Sequence, residues 1–275
     1  ACQLQASALV PLPVSGRGQD NGSLACQLQA SALVPLPVSG RGQGRGLPIK
    51  PEEIHMEIKV LRNIMEVNDY VARENRRTFD ERSIFVVNLM SSPGAGKTTL
   101  LERAIDALKD IPIAVIEGDI ATQYDAERIQ RHGVQVVQIN TQGACHLDAN
   151  MIRNALENLD LDGVRLLFIE NVGNLVCPAE FALGENMKIT ILSVTEGDDK
   201  PEKYPVMFQE SSALVINKTD LLPFVDFNVQ AARQRALALN PRLVIFEVSA
   251  RTGQGLDAWI SWLRAQIEAH SNQAS

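Results

Sequence analysis

Two short strings carry residue types whose spacing fits nucleotide chemistry. Ser91-Ser92-Pro93-Gly94-Ala95-Gly96-Lys97-Thr98 is shaped to hold phosphates, and Asn217-Lys218-Thr219-Asp220, about 120 residues further on, is shaped to read guanine. In the first, Gly94 and Gly96 let backbone N–H groups turn toward a phosphate with no Cβ in the way. Lys97 is placed to reach the β- and γ-phosphates and Thr98 to ligate Mg²⁺, with Ser92, Ala95 and Thr99 completing the loop. Ser91 stands where the usual pattern has its first glycine, so that turn needs no positive φ. In the second string, the Asp220 carboxylate can accept from both N1–H and N2–H₂ of guanine, a donor pair that adenine lacks. Lys218 can lie along the base plane, and Asn217 can tie the loops together. Ser249-Ala250 follows the last expected strand, where a backbone contact to the guanine oxygen fits.

Two acids follow apolar strands and suit Mg²⁺ or its waters: Asp119, in Glu117-Gly118-Asp119, and Glu170, in Glu170-Asn171-Val172-Gly173. Gly173 is placed to donate its N–H to a γ-phosphate. Asp125 lies in the segment between and is expected to enter the site with GTP. No glutamine or arginine stands out as a catalytic group, so slow intrinsic hydrolysis is expected.

Cys145-His146, with Cys177 further on, forms a second constellation. Thiols and imidazole suit Zn²⁺, Ni²⁺ and other borderline or soft metals. The spacing is not that of a zinc finger, and a cysteine is often only a small buried apolar residue. Three ligands leave a site to be completed by water, Asp148 or a second chain, and two copies about a two-fold axis would bring six together.

The elements that must position these groups alternate. Strands are expected at Ile84–Met90, Ile113–Glu117, Val134–Ile139, Arg165–Glu170, Ile189–Val194, Ala213–Asn217 and Leu243–Val248. Helices are expected at Thr98–Leu108, Tyr124–His132, Asp148–Leu159, Val229–Leu239 and Leu256–His270. This alternation predicts an α/β P-loop NTPase fold: a mainly parallel sheet of about seven strands with helices on both faces, its ligands beyond the C-terminal strand ends. A G domain is expected over 81–271. A helix is expected over 50–80, from Pro51 to about Arg76, with Ile54, Ile58, Leu61 and Met65 at helical spacing to pack on that domain. Residues 1–48 differ: Ala1–Gln19 recurs letter for letter as Ala25–Gln43. That segment is rich in Pro, Gly, Ser and Gln, reads as a disordered tandem-repeat tail, and holds Cys2 and Cys26 as lone thiols.

A net charge of −7 argues against sequence-independent nucleic-acid binding, which needs Lys and Arg to displace counterions. The apolar runs are too short to span a bilayer. The start has no basic n-region, and Pro11 and Pro13 interrupt its apolar stretch. The four cysteines are therefore expected as thiols in a reducing, cytoplasmic compartment.

Taken in order, Ser91–Leu100, Ile116-Glu117-Gly118-Asp119, Gly143-Ala144-Cys145-His146-Leu147-Asp148-Ala149, Glu170-Asn171-Val172-Gly173-Asn174-Leu175-Val176-Cys177-Pro178 and Asn217-Lys218-Thr219-Asp220 resemble the hydrogenase nickel-incorporation GTPases, the HypB family. The likeness runs from about Glu52 to Ile267. It implies a GTPase accessory protein that delivers nickel to the large subunit of a [NiFe] hydrogenase. It also implies a Ni²⁺ or Zn²⁺ site at Cys145, His146 and Cys177 on a homodimer interface, and a HypA-type nickel- and zinc-binding partner. Some members carry an N-terminal Cys-x-x-Cys-Gly-Cys motif or a His-rich tail. This sequence shows neither, and the likeness does not extend N-terminal nickel binding to it. The urease nickel-insertion GTPases are the nearest alternative, but their metal motif is Cys-Pro-His. A regulatory GTPase with buried cysteines and a passive metal store remain as other classes. Lys200 and Lys203 lie in a further family-like stretch, without a derived role.

Overall fold

A computed structural model describes residues 51–119 and 124–273, with side chains from residue 64 onward. The expectations for residues 1–48 lie outside the described residues. Seven strands form one fully parallel sheet: β1 (Phe85–Ser91), β2 (Ile113–Asp119), β3 (Gln135–Asn140), β4 (Leu166–Glu170), β5 (Met187–Ser193), β6 (Ala213–Asn217) and β7 (Val244–Glu247), in the order β3-β2-β4-β1-β5-β6-β7. Helices cover both faces, so the central strands are near-continuous apolar runs rather than alternating ones. On one face Val87, Leu89, Val115, Phe168 and Ile191 pack against α2 (Lys97–Ala107) and α9 (Leu256–Gln273), with Trp259 wholly buried between them. On the other face Val86, Ile116, Leu167 and Ile169 meet Phe79 of α1 (Pro51–Glu81) and Ile152 of α4 (Ala149–Leu156). Further along that face, Met90, Leu192 and Ile216 meet α7 (Pro205–Gln209) and α8 (Val229–Leu239).

Helix α1 runs about a turn past the expected Arg76, because Phe79 is fully buried and Arg76 pairs with Asp80 at 3.0 Å. Two buried asparagines tie it to the domain. Asn68 donates to the Ala182 carbonyl (2.9 Å) and accepts from the Ala149 N–H (2.9 Å), and Asn75 donates to the carbonyls of Ala149 (2.8 Å) and Leu183 (3.0 Å). Gly184, at φ +98°, makes this possible, since a Cβ there would stand 2.8 Å from the Ala72 carbonyl oxygen. The helix α3 (Tyr124–Gln130) ends before the expected His132, and four short elements had no expectation: α5 (Cys177–Glu180), α6 (Lys200–Lys203), α7 and a 3-10 helix at Thr219–Phe224.

The chain leaves β1 for β2 and β3, returns through β4 beside β1, then crosses to β5 and outward. β1 is therefore the point where strand order reverses, and the crevice at its C-terminal end is where such sheets hold ligands.

Candidate nucleotide and metal sites

β1 ends at Ser91 and α2 begins at Lys97, so the expected phosphate loop is the strand–helix connection at that crevice. Gly94 and Gly96 have φ of +73° and +96°. A Cβ on Gly96 would stand 2.6 Å from Asn217 Nδ2, so this glycine also admits the second string. Ser91 is fully buried, and its hydroxyl accepts from Lys97 Nζ at 3.1 Å. The residue in the first glycine's place thus holds the lysine that faces the cleft. Lys97 is itself buried, which lowers its pKa against the pull of Glu170. Thr98 Oγ1 donates to Glu170 Oε1 at 2.7 Å. Ala95 is buried, and the Ser92 hydroxyl is buried without a partner.

A cleft of about 340 Å³ gathers Gly94, Gly96, Lys97, Thr98, Thr99, Asp119, Asp125, Glu170 and Gly173, with Glu117, Arg128 and Asn171. Gly173 lies hard against the loop, where a Cβ would come within 2.9 Å of Pro93 Cα. Register explains the acids: Glu117 and Glu170 are direct neighbours on β2 and β4, and Asp119 closes β2. Burial pushes the Glu117 carboxyl up to about 8, with the charges of Glu170, Asp119 and Asp125 adding to it. Burial likewise pushes Glu170 up to about 7, against the pull of Lys97 and the Thr98 hydroxyl. Glu117 Oε2 and Glu170 Oε2 are both buried with no hydrogen-bond partner. Buried carboxylate oxygens without donors suit a hard cation, which takes oxygen ligands.

Three residues of this cleft had carried no role in the sequence. Glu117 was visible only as part of a string. Arg128 donates to both carboxylate oxygens of Glu102 (3.3 and 2.6 Å), to Asp125 (3.1 Å) and to the Thr99 hydroxyl (3.2 Å). Its signal was the Asp125–Arg128 spacing on a helix. Asn171 is considered below.

A second pocket of about 250 Å³ joins the first through Gly96 and Thr99, and is lined by Asn217, Lys218, Asp220, Ala250 and Arg251. Asn217 bridges three loops: its Nδ2 donates to the Ala95 carbonyl (2.9 Å) and its Oδ1 accepts from the Ala250 N–H (3.1 Å). Lys218, at φ +63°, stretches back to the Gly94 carbonyl (2.6 Å). The Ser249 hydroxyl donates to one oxygen of Asp220 (2.6 Å), fixing the carboxylate at the pocket. A larger hollow of about 610 Å³ lies at the opposite edge of the sheet, near Phe85, Met187, Val244 and His270, and gathers none of these groups.

Cys145, His146 and Cys177 come together. Cys145 Sγ lies 3.0 Å from Cys177 Sγ and 3.6 Å from His146 Nδ1, and the three ligand atoms lie within 4.8 Å of one another. Cys145 is exposed, and the other two are half-buried. Burial pushes the Cys177 thiol up to about 11, helped by the Cys145 thiol beside it, and burial lowers the His146 pKa against the pull of Asp148 and Glu180. Such a donor set fits a borderline or soft divalent ion that displaces thiol protons. Asp148 is otherwise engaged, accepting from the Met151 N–H (2.7 Å) to cap α4. Lys203 pairs with Asp199 at 2.6 Å, and Lys200 Nζ sits 5.3 Å from the Tyr204 ring centre; neither lines the phosphate cleft.

Fold and site together define a P-loop nucleotide-binding domain with a thiol–imidazole cluster on its ligand edge. The family described as "CobW/HypB/UreG, nucleotide-binding domain" matches residues 85–247. Among individual proteins, the hydrogenase maturation factor HypB of Azotobacter vinelandii is 52% identical over 227 residues, which are 79% of this chain and 75% of that protein. The crystal structure of HypB from Helicobacter pylori in complex with nickel aligns with a TM-score of 0.71 at 40% identity, over 74% of this chain and 96% of that one. HypB from Archaeoglobus fulgidus aligns with a TM-score of 0.70 at 40% identity, over 74% of this chain and all of that one. This chain belongs to the HypB family of hydrogenase maturation factors. Among the described residues, no helix is long and apolar enough to cross a membrane.

Proposed function

We propose that this chain is a GTP-hydrolysing metallochaperone that inserts nickel into the large-subunit precursor of a [NiFe] hydrogenase. The observation that carries the reading is the placement of Cys177 four residues beyond Gly173, on the same loop that closes over the phosphate site. Lys97 and the backbone N–H groups of Gly94 to Thr99 hold the phosphates of GTP. Asp220, braced by Ser249, pairs with the guanine edge, while Asn217, Lys218 and Ala250 close the base pocket. Thr98, Asp119, Asp125 and Glu170 are the oxygen ligands that fit Mg²⁺, which supplies counter-charge to the β- and γ-phosphates. Gly173 donates to the γ-phosphate and registers its loss. Arg128, the arginine of the cleft, is taken up by Glu102, Thr99 and Asp125, which accords with slow hydrolysis.

Cys145, His146 and Cys177 hold the nickel cargo, and Zn²⁺ competes for the same donors. A single chain leaves coordination positions open, so a homodimer completes the site. A HypA-type partner supplies or receives the metal. Loss of the γ-phosphate relaxes the Glu170–Gly173 loop, shifts Cys177 and changes metal affinity.

The test is Ni²⁺ affinity and stoichiometry in the GDP state and with a non-hydrolysable GTP analogue, for the wild type and Cys177→Ala. The wild type is expected to differ between the two states, and the variant to bind nucleotide yet lose that difference. Equal wild-type affinities in both states sink the switch. Absence of bound metal in either state favours a regulatory GTPase instead.

A further inference from the structure

The metal ligands reach the cluster on two separate arms. One is the stretch after β3 that carries Cys145 and His146. The other is the stretch after β4 that runs through Gly173 to Cys177. A nucleotide sensor that acted on the second arm alone would move one ligand of three. The two arms touch at the Cys145 and Cys177 sulfurs, and a buried side chain behind the cluster grips the backbone of both.

That side chain is Asn171, which is 1% exposed. Its Oδ1 accepts from the Leu147 N–H at 3.2 Å and from the Val172 N–H at 2.9 Å. Leu147 directly follows His146, and Val172 directly precedes Gly173. Its Nδ2 donates to Asn88 Oδ1 on β1 at 3.2 Å. The amide is therefore held from three sides and cannot turn without releasing at least one arm.

Leu147 has a second anchor. Its side chain is fully buried against Gly118, where a Cβ would stand 2.8 Å from three Leu147 carbons. Gly118 immediately precedes Asp119. The Cys145-His146 arm thus sits on the backbone of the strand end that lines the phosphate cleft. On the nucleotide side, Asn171 follows Glu170, which Thr98 holds at 2.7 Å, and Gly173 rests on Pro93 of the phosphate loop. A shift of the Glu170–Gly173 loop is transmitted through Asn171 to the backbone beside His146.

We infer that Asn171 is a positioning residue that couples nucleotide state to the metal cluster by moving the Cys145-His146 arm together with the Cys177 arm. This rests on the metal-switch reading above and adds the second arm to it. Coupling between two ligands is a free-energy difference that acts equally in both directions. A ratio of affinities therefore reports it, independently of how well either ligand binds alone.

The experiment measures Ni²⁺ affinity of the full chain with GDP and with a non-hydrolysable GTP analogue, and both nucleotide affinities with and without Ni²⁺. Wild type is expected to show a ratio of about 5–150-fold, the usual span for coupled sites, and the same factor in both directions. Asn171→Ala removes the acceptor that both arms share, and is expected to bring both ratios close to unity while Ni²⁺ is still bound. Gly118→Ala is the companion variant: it drives Leu147 off its seat and is expected to weaken Ni²⁺ binding in both nucleotide states. An Asn171→Ala protein that keeps the wild-type ratio overturns the inference and leaves the switch standing on Cys177 alone. A Gly118→Ala protein with unchanged Ni²⁺ affinity overturns the seating of the arm. A wild type without any ratio overturns the switch itself, and the inference with it.

Discussion

Glu117 makes the metal- and nucleotide-free protein lose stability as pH rises from about 4.5 to about 8. The residue is 3% exposed, lies beside Glu170 across the strand pair, and feels the charges of Asp119 and Asp125, with Lys97 as the opposing cation. In an unfolded chain this group loses its proton near 4.5; in the fold it keeps it to about 8. A carboxyl raised in this way contributes stability that is fully present below 4.5 and is lost as pH rises through about 8. At about 1.4 kcal/mol per pH unit, the loss is about 4–5 kcal/mol, part of it shared with Glu170. Glu117→Gln keeps the shape and removes the charge. It is expected to match wild type near about pH 4 and to exceed it near about pH 9 by most of that energy, or roughly 10 °C in melting temperature. The assay is thermal and urea unfolding in EDTA, without nucleotide, at both pH values. Adding Mg²⁺ with GDP supplies counter-charge to the cleft and is expected to shrink the wild type's pH dependence. A variant that is equally stabilised or destabilised at both pH values refutes the reasoning.

Asp220→Asn is expected to weaken GTP binding by at least about 1.5–3 kcal/mol, the worth of one hydrogen bond to a charged group, and to improve binding of xanthosine triphosphate, as read by competition with a fluorescent nucleotide. Unchanged guanine preference removes Asp220 from the base pocket. Gly173→Ala places a Cβ 2.9 Å from Pro93 Cα, a backbone atom with little room to retreat. It is expected to weaken the triphosphate analogue more than GDP in the same assay, and an equal effect on both nucleotides argues against a γ-phosphate contact.

The parts of this molecule that could be read from sequence are those whose chemistry is local. The phosphate loop and Asn217–Asp220 are contiguous strings between a strand and a helix, so residue type and spacing nearly determine their geometry. Strands buried on both faces announce themselves as apolar runs, and the expected Leu243–Val248 differs from the observed β7 by a residue at each end. The short helices α5, α6 and α7 span only four or five residues, too few to show a helical period, and each starts with proline at its first or second position. Arg128 and Glu102 meet across 26 residues, and Asn171 and Leu147 across 24, so no local pattern marks either pair. Glu117 looked like one more strand residue until the register set it against Glu170.

The same register gives the proposed coupling between two chemically unlike sites a short path. Parallel strand ends lie only about 4.8 Å apart. β2 ends in an acid of the phosphate cleft, and β4 ends in another. The Thr141 N–H bonds the Asp119 carbonyl at 3.0 Å, so the loop to Cys145 starts beside the first acid, and the loop to Cys177 starts at the second. The Cys177 arm is therefore the direct continuation of a strand end that lines the nucleotide cleft, and the Cys145 arm starts bonded to the end of another. The ligands themselves carry little of the folding energy, because Cys145 is exposed and His146 and Cys177 are half-buried. What holds the arms lies behind the ligands: Leu147 in the core, Asp148 capping α4, and Asn171 bonded to the Leu147 backbone. A site anchored next to its ligands rather than through them can shift its donors without unfolding its support. The proposed role, in which a metal is both held and released, needs that property.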